Sequence, residues 1–358
     1  MNFDLSEEQE LFRATVERFT APIDVEARRR LRANTGGYDL ARWRDLAELG
    51  LIALAASEEA GGMGGSPLDL ALVGEAVGRG NAPDPWLENG VLPARLLAAG
   101  NALEALEGVL AGTSFVTFAW AERSQRYSLQ PKQTRVEGGT ITGEKTFVLG
   151  AALADHFIVS ARAGETTEFY LLPRDAEGLE VRSYRLADGS MAGEVRLTRV
   201  ATSAGRKLEL DEAALDQIVA EVRLVAAAEM AGLGQRLLDD TLRYVKEREQ
   251  FGVPIGSFQA LQHRLVDCYA RIEQARSMLY RAALADPADA RGWQRSAAGA
   301  KAYISEAADH IAREAVQMHG GMGITDELAI GHAMKRVLLL MRLFGDVDAN
   351  LVEYAAAA

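Results

Sequence analysis

Arg248 and Gln259 bracket the most chemically suggestive stretch of the chain, Arg248-Glu249-Gln250-Phe251-Gly252-Val253-Pro254-Ile255-Gly256-Ser257-Phe258-Gln259. A guanidinium offers a planar fork of donors and a side-chain amide adds another, so an Arg and a Gln at a tight corner can clasp a bound anion. A Gly/Pro-rich link of this kind is an ordered turn. The same residues serve equally as the loop of a helical hairpin with a solvated arginine, and the corner alone does not separate the two. Other candidates carry less. The glycine loop Gly61-Gly62-Met63-Gly64-Gly65-Ser66-Pro67 precedes a helix and could cradle a phosphate. No strand precedes it and no Lys-Ser/Thr pair follows, so it is expected to be a structural turn.

The corner must be positioned by the segments that flank it. Before it, Leu224, Ala228, Ala231, Leu238, Leu242 and Val245 recur at helical spacing; after it, Leu261, Leu265, Cys268, Ile272, Ala275 and Leu279 do so. Two long helices, each with one apolar stripe, are expected to pair antiparallel in a bundle. A third carries Ile304, Ala308, Ile311, Ala315 and Met318 on one face, and a fourth Ala333, Val337, Leu340 and Leu343. Residues 1 to about 112 also read as helical. Ser6 and Gln9 form a capping box for a first helix through Phe19, followed by helices over Tyr38–Leu51 and Leu68–Gly78. Between the helical parts the pattern is β. Phe115–Trp120, Gln133–Val136, Thr140–Gly143 after the Gly138-Gly139 turn, His156–Ser160, Glu168–Leu172 and Gly193–Leu197 are strand-like. The expected division is a helical domain over 1–112, a β domain over 113–204 and a helical bundle over 205–358. The only low-complexity segment is the Ala355–Ala358 tail.

Composition excludes several classes. The chain has 358 residues, 48% hydrophobic and 25% charged, as in ordinary globular proteins. A net charge of −12, from 51 acidic and 39 basic residues, argues against nucleic acid or an anionic membrane as the main partner. The start MNFDLSEEQELF is acidic and lacks an apolar core, so no signal peptide is expected, and no run reaches membrane-spanning length. A cytoplasmic enzyme or enzyme subunit fits best. The single Cys268 sits on a helical apolar stripe, so it is expected to be a buried, inert thiol rather than a nucleophile. His156, His263, His310, His319 and His332 are scattered without metal-ligand spacing, so no metal is expected. The four Trp residues read as core or interface, and Asp239-Asp240 as a solvated helix face.

Three motifs carry a family resemblance. The run from Arg243 to Asp267, RYVKEREQFGVPIGSFQALQHRLVD, resembles the C-terminal helical signature of the acyl-CoA dehydrogenases. Gln317-Met318-His319-Gly320-Gly321-Met322-Gly323-Ile324-Thr325 is similar to that family's other C-terminal motif. Glu58-Glu59-Ala60-Gly61-Gly62-Met63-Gly64, leading into Leu68-Asp69-Leu70-Ala71-Leu72, resembles its N-terminal helical domain. The resemblance runs in order over nearly the whole chain and implies an α+β fold: N-terminal helical domain, middle β domain and C-terminal four-helix bundle. It implies FAD-dependent α,β-dehydrogenation of an acyl-CoA thioester, with a carboxylate as base and the flavin as hydride acceptor. In the family one subunit's bundle completes its neighbour's flavin site. Carried over by motif, Arg248, Phe251 and Gln259 would reach the pyrophosphate and adenosine half of FAD, and Gln317, Gly320 and Gly321 would pack on the same moiety. Pyrophosphate needs a fork of donors, and glycines let backbone N–H groups approach.

The departures are as informative as the matches. Counted from Gly320-Gly321, the position of the family's catalytic Glu holds Phe344; the alternative base position, aligned through Gly232-Leu233-Gly234-Gln235, holds Arg223. Neither is a base. Asp346 replaces a Thr that donates to the pyrophosphate in the family, and a carboxylate there would repel it by about several kcal/mol. The family's glycine-containing flavin loop reads Trp120-Ala121-Glu122-Arg123-Ser124-Gln125-Arg126, and its Trp-Ile-Thr segment reads Phe147-Val148-Leu149. Contacts to a subunit's own flavin are thus degraded while those to its neighbour's are kept. The resemblance therefore points to the base-less subunit of an α2β2 heterotetramer, as in the bacterial steroid side-chain degraders. Its implied partners are a second acyl-CoA dehydrogenase chain, an acyl-CoA substrate and an electron-transferring flavoprotein as acceptor. A steroid-CoA substrate, and a place in lipid or steroid catabolism, rest on analogy alone. Two alternatives stand beside this one. The chain could be a self-sufficient homo-oligomer with its base moved to Glu221 or Asp346, both of which read as solvated surface carboxylates. It could also be a non-enzymatic CoA-binding or interaction protein on the same scaffold.

Overall fold

The computed structural model describes residues 5–34 and 36–356, apart from the side chain of Glu8. Met1 to Asp4, at the start of the segment read above as no signal peptide, and the last two residues of the alanine tail lie outside the described residues. The helices are α1 (Glu7–Phe19), α2 (Val25–Ala33), α3 (Leu40–Glu48), α4 (Pro67–Gly80), α5 (Leu92–Ala99), α6 (Leu103–Leu110), α7 (Glu212–Glu247), α8 (Gln259–Ala283), α9 (Ala290–His319), α10 (Ala329–Leu340) and α11 (Val347–Ala356). The strands are β1 (Val116–Ala119), β2 (Arg135–Glu137), β3 (Thr140–Leu149), β4 (His156–Ala163), β5 (Thr166–Pro173), β6 (Leu179–Arg185), β7 (Met191–Ala201), β8 (Arg206–Lys207), β9 (Glu249–Gln250) and β10 (Val253–Pro254). Helices, a sheet and helices again follow in the expected α+β order. Among the described residues no helix is long and apolar enough to cross a membrane.

The chain forms two compact units. One comprises residues 1–29, 67–82 and 223–358 and is helical apart from the small β9–β10 ladder; the other comprises 30–66 and 83–222 and holds the sheet. In the helical unit α7 departs from expectation. From Leu224 to Gly234 it is buried on every side rather than along one stripe. Small residues make this possible. A Cβ on Gly78 of α4 would lie 2.0 Å from Glu229 O of α7, and one on Gly232 would lie 2.0 Å from Glu75 O. Gly78→Ala should therefore force the helices apart and cost about 1–3 kcal/mol, read as a lowered thermal unfolding midpoint. Gly234 sets α7 against Ile272 of α8, whose expected stripe is buried from Leu265 through Cys268, Ile272 and Ala275 to Leu279, while its first member, Leu261, is only half-buried. The fourth bundle helix ends at Leu340, short of Leu343, and α11 follows as a fifth.

The capping box at Ser6 is formed in both directions: Gln9 N–H donates to Ser6 Oγ and Ser6 N–H donates to Gln9 Oε1, each at 3.1 Å. In the second unit the strands run β6-β7-β3-β2-β4-β5-β8, with β1 pairing parallel to β4. Their inner face buries Ile141, Val148, Phe157, Val159, Leu172, Val195, Leu197 and Val200. In the glycine loop Gly62 is required by the turn: a Cβ there would lie 2.2 Å from Ala56 O.

Candidate functional site

Arg248 directly follows α7. Its N–H donates to Tyr244 O and its own carbonyl accepts from Ile255 N–H, both at 2.8 Å, so the main chain closes the helix and the corner together. The guanidinium is exposed and makes no hydrogen bond or ion pair with a described residue. Beyond it β9 and β10 form a hairpin in which Gln250 faces Val253. Its two central residues, Phe251 (φ 58°) and Gly252 (φ 80°), are both left-handed, as a type I′ turn requires. Glycine adopts that backbone freely; phenylalanine does so at a cost of about 1–2 kcal/mol. The strained Phe251 is 93% exposed and touches Phe258 edge-on at 6.2 Å. An aromatic held in a strained turn and pushed into solvent marks a recognition surface better than a stability element. Gln259, also exposed, opens α8.

The second motif ends α9. Gln317 is exposed, and Gly320 (φ 62°) terminates the helix with its N–H on Gln317 O. An added Cβ at Gly320 or Gly321 would meet nothing within 4 Å, so the backbone there is open to a ligand. Gly323 differs: its Cβ would lie 2.8 Å from Val316 O, a requirement of the turn itself. The two motifs are joined by a pair that the sequence did not single out. The rings of Tyr244, one helical turn before Arg248, and His319, immediately before Gly320, stack at 4.2 Å and 24°. His319 Nδ1 donates to Ala315 O at 2.8 Å, which fixes the ring's orientation. The only prior signal for Tyr244 was an aromatic near the end of a buried helix.

Phe344 and Arg223, distant in sequence, are in contact. Arg223 Nε donates to Phe344 O at 2.9 Å, and its Nη1 pairs with Glu353. Phe344 is 2% exposed and left-handed (φ 54°). The turn it belongs to is tied down from three sides. Lys301 Nζ donates to Gly345 O at 2.9 Å and Met341 O at 3.4 Å; Asn350 Nδ2 donates to Gly345 O and Asp346 O at 2.9 and 2.8 Å. Asp346 corrects an expectation: it is no solvated carboxylate but caps α11, accepting Ala349 N–H at 3.0 Å. Glu221 corrects another. It is buried, with its oxygens 2.6 and 2.7 Å from the Arg95 guanidinium, and burial raises its carboxyl pKa against the pull of Arg95. Asp239 and Asp240 are likewise spent in ion pairs, with Arg79 at 3.4 Å and with Arg236 and Arg243 at 2.5 and 3.2 Å. Cys268 is buried, its thiol pushed up to about 12 by burial and by the nearby carboxylates of Glu314 and Asp267, so it is unreactive.

In the sheet unit, the loop expected to have lost its flavin contacts is organised by Glu122. Its carboxylate accepts the N–H groups of Lys132, Gln133 and Thr134 at 2.9, 2.8 and 2.9 Å and pairs with buried Lys145 at 3.1 Å. Phe147 (φ 55°) lies where the β3–β7 register shifts, and Val148 and Leu149 are buried in the sheet.

The family model for the acyl-CoA dehydrogenase N-terminal domain matches residues 6–105, and that for the C-terminal domain matches residues 212–352. Acyl-CoA dehydrogenase IpdE2 of Mycolicibacterium smegmatis is 34% identical, covering 95% of this chain and 96% of that protein. The solved Tcur3481-Tcur3483 steroid ACAD superimposes with a TM-score of 0.88 at 28% identity over 98% of this chain and 97% of its own. The ChsE4-ChsE5 complex from Mycobacterium tuberculosis gives 0.88 at 25% identity over 99% and 98%. The chain belongs to the acyl-CoA dehydrogenase family, oxidoreductases acting on CH–CH bonds with FAD.

Proposed function

We propose that this chain is the base-less subunit of a heteromeric, FAD-dependent acyl-CoA dehydrogenase of the cytoplasm and completes the flavin site of a different, catalytic chain. The observation that carries this is the Arg223–Phe344 contact. The family's two alternative base positions lie against each other, as positions able to serve one substrate atom should, and they hold a guanidinium and a buried phenyl ring. The retained surface fits the adenosine diphosphate half of FAD: an unengaged guanidinium at Arg248, the exposed amides of Gln259 and Gln317, an exposed ring at Phe251, and open backbone at Gly320 and Gly321. When bound, the flavin would supply the hydride-accepting chemistry; this chain's residues would hold its pyrophosphate end. The solved ChsE4-ChsE5 complex and the Tcur3481-Tcur3483 steroid ACAD support a two-chain assembly, and the second of them a bulky, steroid-like acyl group; an electron-transferring flavoprotein as acceptor rests on the family resemblance alone. The domain division 1–112, 113–204 and 205–358 belongs to the same proposal, supported by helices ending at Leu110, strands spanning Val116–Lys207 and α7 opening at Glu212.

Native mass spectrometry of the chain purified from its source cells tests this. The expected result is a complex with a second acyl-CoA dehydrogenase chain and one FAD per pair of chains. A homo-oligomer with one FAD per chain that oxidises an acyl-CoA would overturn it. One observation favours that second outcome: Glu221 is a buried carboxyl with a raised pKa, the character of a general base. Both its oxygens, however, are held by Arg95. Glu221→Gln abolishing turnover by the isolated chain would establish the self-sufficient enzyme.

A further inference from the structure

We infer that the Tyr244–His319 stack is the positioning pair that sets the Arg248 corner and the Gln317–Gly321 loop as a single cofactor-binding surface. This rests on the proposed flavin-completing role and adds to it two residues that contribute through others. Arg248 stands at the free end of α7, on a hairpin whose side chains are exposed and whose tip, Phe251, is strained. The Ile255 N–H holds the Arg248 main chain within the corner, but no hairpin side chain ties the corner to the second motif among the described residues. The stack does. Tyr244 is the acceptor of the Arg248 N–H, and its ring lies 4.2 Å from a ring whose Cα neighbours Gly320. His319 is itself locked by Nδ1 donating to Ala315 O at 2.8 Å, and only 7% of it is exposed. A rotation of the last turn of α7 would therefore have to unstack the rings before it could move Arg248. Stacked rings at van der Waals contact resist sliding past one another, so the pair favours the arrangement it holds. Preorganising donors around an anion lowers the ordering cost of binding it.

The test uses the complex as purified, with variants of this chain expressed in the source cells in place of wild type. FAD affinity is measured by titrating the flavin-stripped complex, beside the thermal unfolding midpoint of each variant. Tyr244→Met keeps the volume and loses the ring; it should weaken FAD binding about tenfold with the unfolding midpoint unchanged. Tyr244→Phe should restore wild-type affinity. Combined with Arg248→Ala, Tyr244→Met should add nothing, because it operates through Arg248. His319→Leu supplies a second route should Tyr244→Met fail to assemble, with the same tenfold loss expected. If Arg248→Ala weakens FAD binding but Tyr244→Met and His319→Leu leave it unchanged, the positioning role is wrong and the flavin-completing role stands. If Arg248→Ala also leaves it unchanged, the flavin-completing role falls and the positioning role with it.

Discussion

Glu122→Ala is expected to remove about 3–5 kcal/mol of folding stability, read from urea unfolding of the purified chain. Glu122 is 2% exposed and Lys145 is 0% exposed. Burial alone would raise the Glu122 carboxyl, but the Lys145 ammonium and the backbone N–H groups of Gln133, Thr134 and Lys132 override it and hold the pKa near about 2. Removing the carboxylate strands an ammonium that burial has already pushed down to about 8, together with three N–H groups. The ammonium retains Ser160 Oγ and Trp120 O, each at 3.1 Å, but no countercharge among the described residues. Truncating both partners, Glu122→Leu with Lys145→Met, should recover the share of the loss due to the stranded ammonium, while the N–H groups of Lys132, Gln133 and Thr134 stay without their acceptor. A loss below about 1 kcal/mol for Glu122→Ala would mean that the charge is solvated when unpaired. The sign with pH follows from the lowered pKa. The Glu122 contribution is complete above the ordinary carboxylate range and is lost as the pH falls through about 2.

Lys301 supplies the second large effect, and it acts in alkali. Its ammonium lies beyond the end of α10, on the carbonyls of Met341 and Gly345. Helix C-terminal carbonyls lack intrahelical partners and attract cations, which explains a lysine in a buried position. Burial first, and the Arg223 guanidinium second, push its pKa down to about 7, with Asp346 opposing. The unfolded chain keeps the ordinary lysine value of 10.5 and so binds more protons between the two values. Stability of the wild type relative to Lys301→Met should therefore rise with pH above about 7, by about 1.4 kcal/mol per unit, and level off near the unfolded value. Below about 7 the difference should be flat. Unfolding free energies of both proteins at about pH 6, 7.5 and 9 measure it. A difference independent of pH would mean that the amine stays charged throughout, with water or Asp346 as its counterpart.

Periodicity made the long helices legible because each had to bury an apolar stripe. It failed where no stripe exists. The helix α2, with sequence VEARRRLRA, buries nothing, and α11 buries only Asn350, so neither presents an apolar stripe to a core. Strand β6 is missed for a related reason, being an edge strand that is exposed or half-buried along its whole length. The solvated reading of Glu221 and Asp346 failed in one common way. A carboxylate is assigned to the surface by default, and only its partner reveals otherwise. Arg95 is far from Glu221 in sequence, and no apolar stripe announces the α11 N-terminus that Asp346 caps.

By itself the sequence determined the family, the order of helices, sheet and helices, and the two motifs with their Arg, Gln and Gly residues. Those are local properties: a corner, a helix end and an apolar period are each written within a few consecutive turns of chain. Only the tertiary structure decided that Arg223 lies on Phe344, that Lys301 and Asn350 bind the turn after α10, and that Tyr244 stacks on His319. These contacts join α7, α9 and α11 to one another or to the turn after α10, and close packing of the helices brings them together. That packing depends on small residues such as Gly78 and Gly232 as much as on the side chains that finally meet.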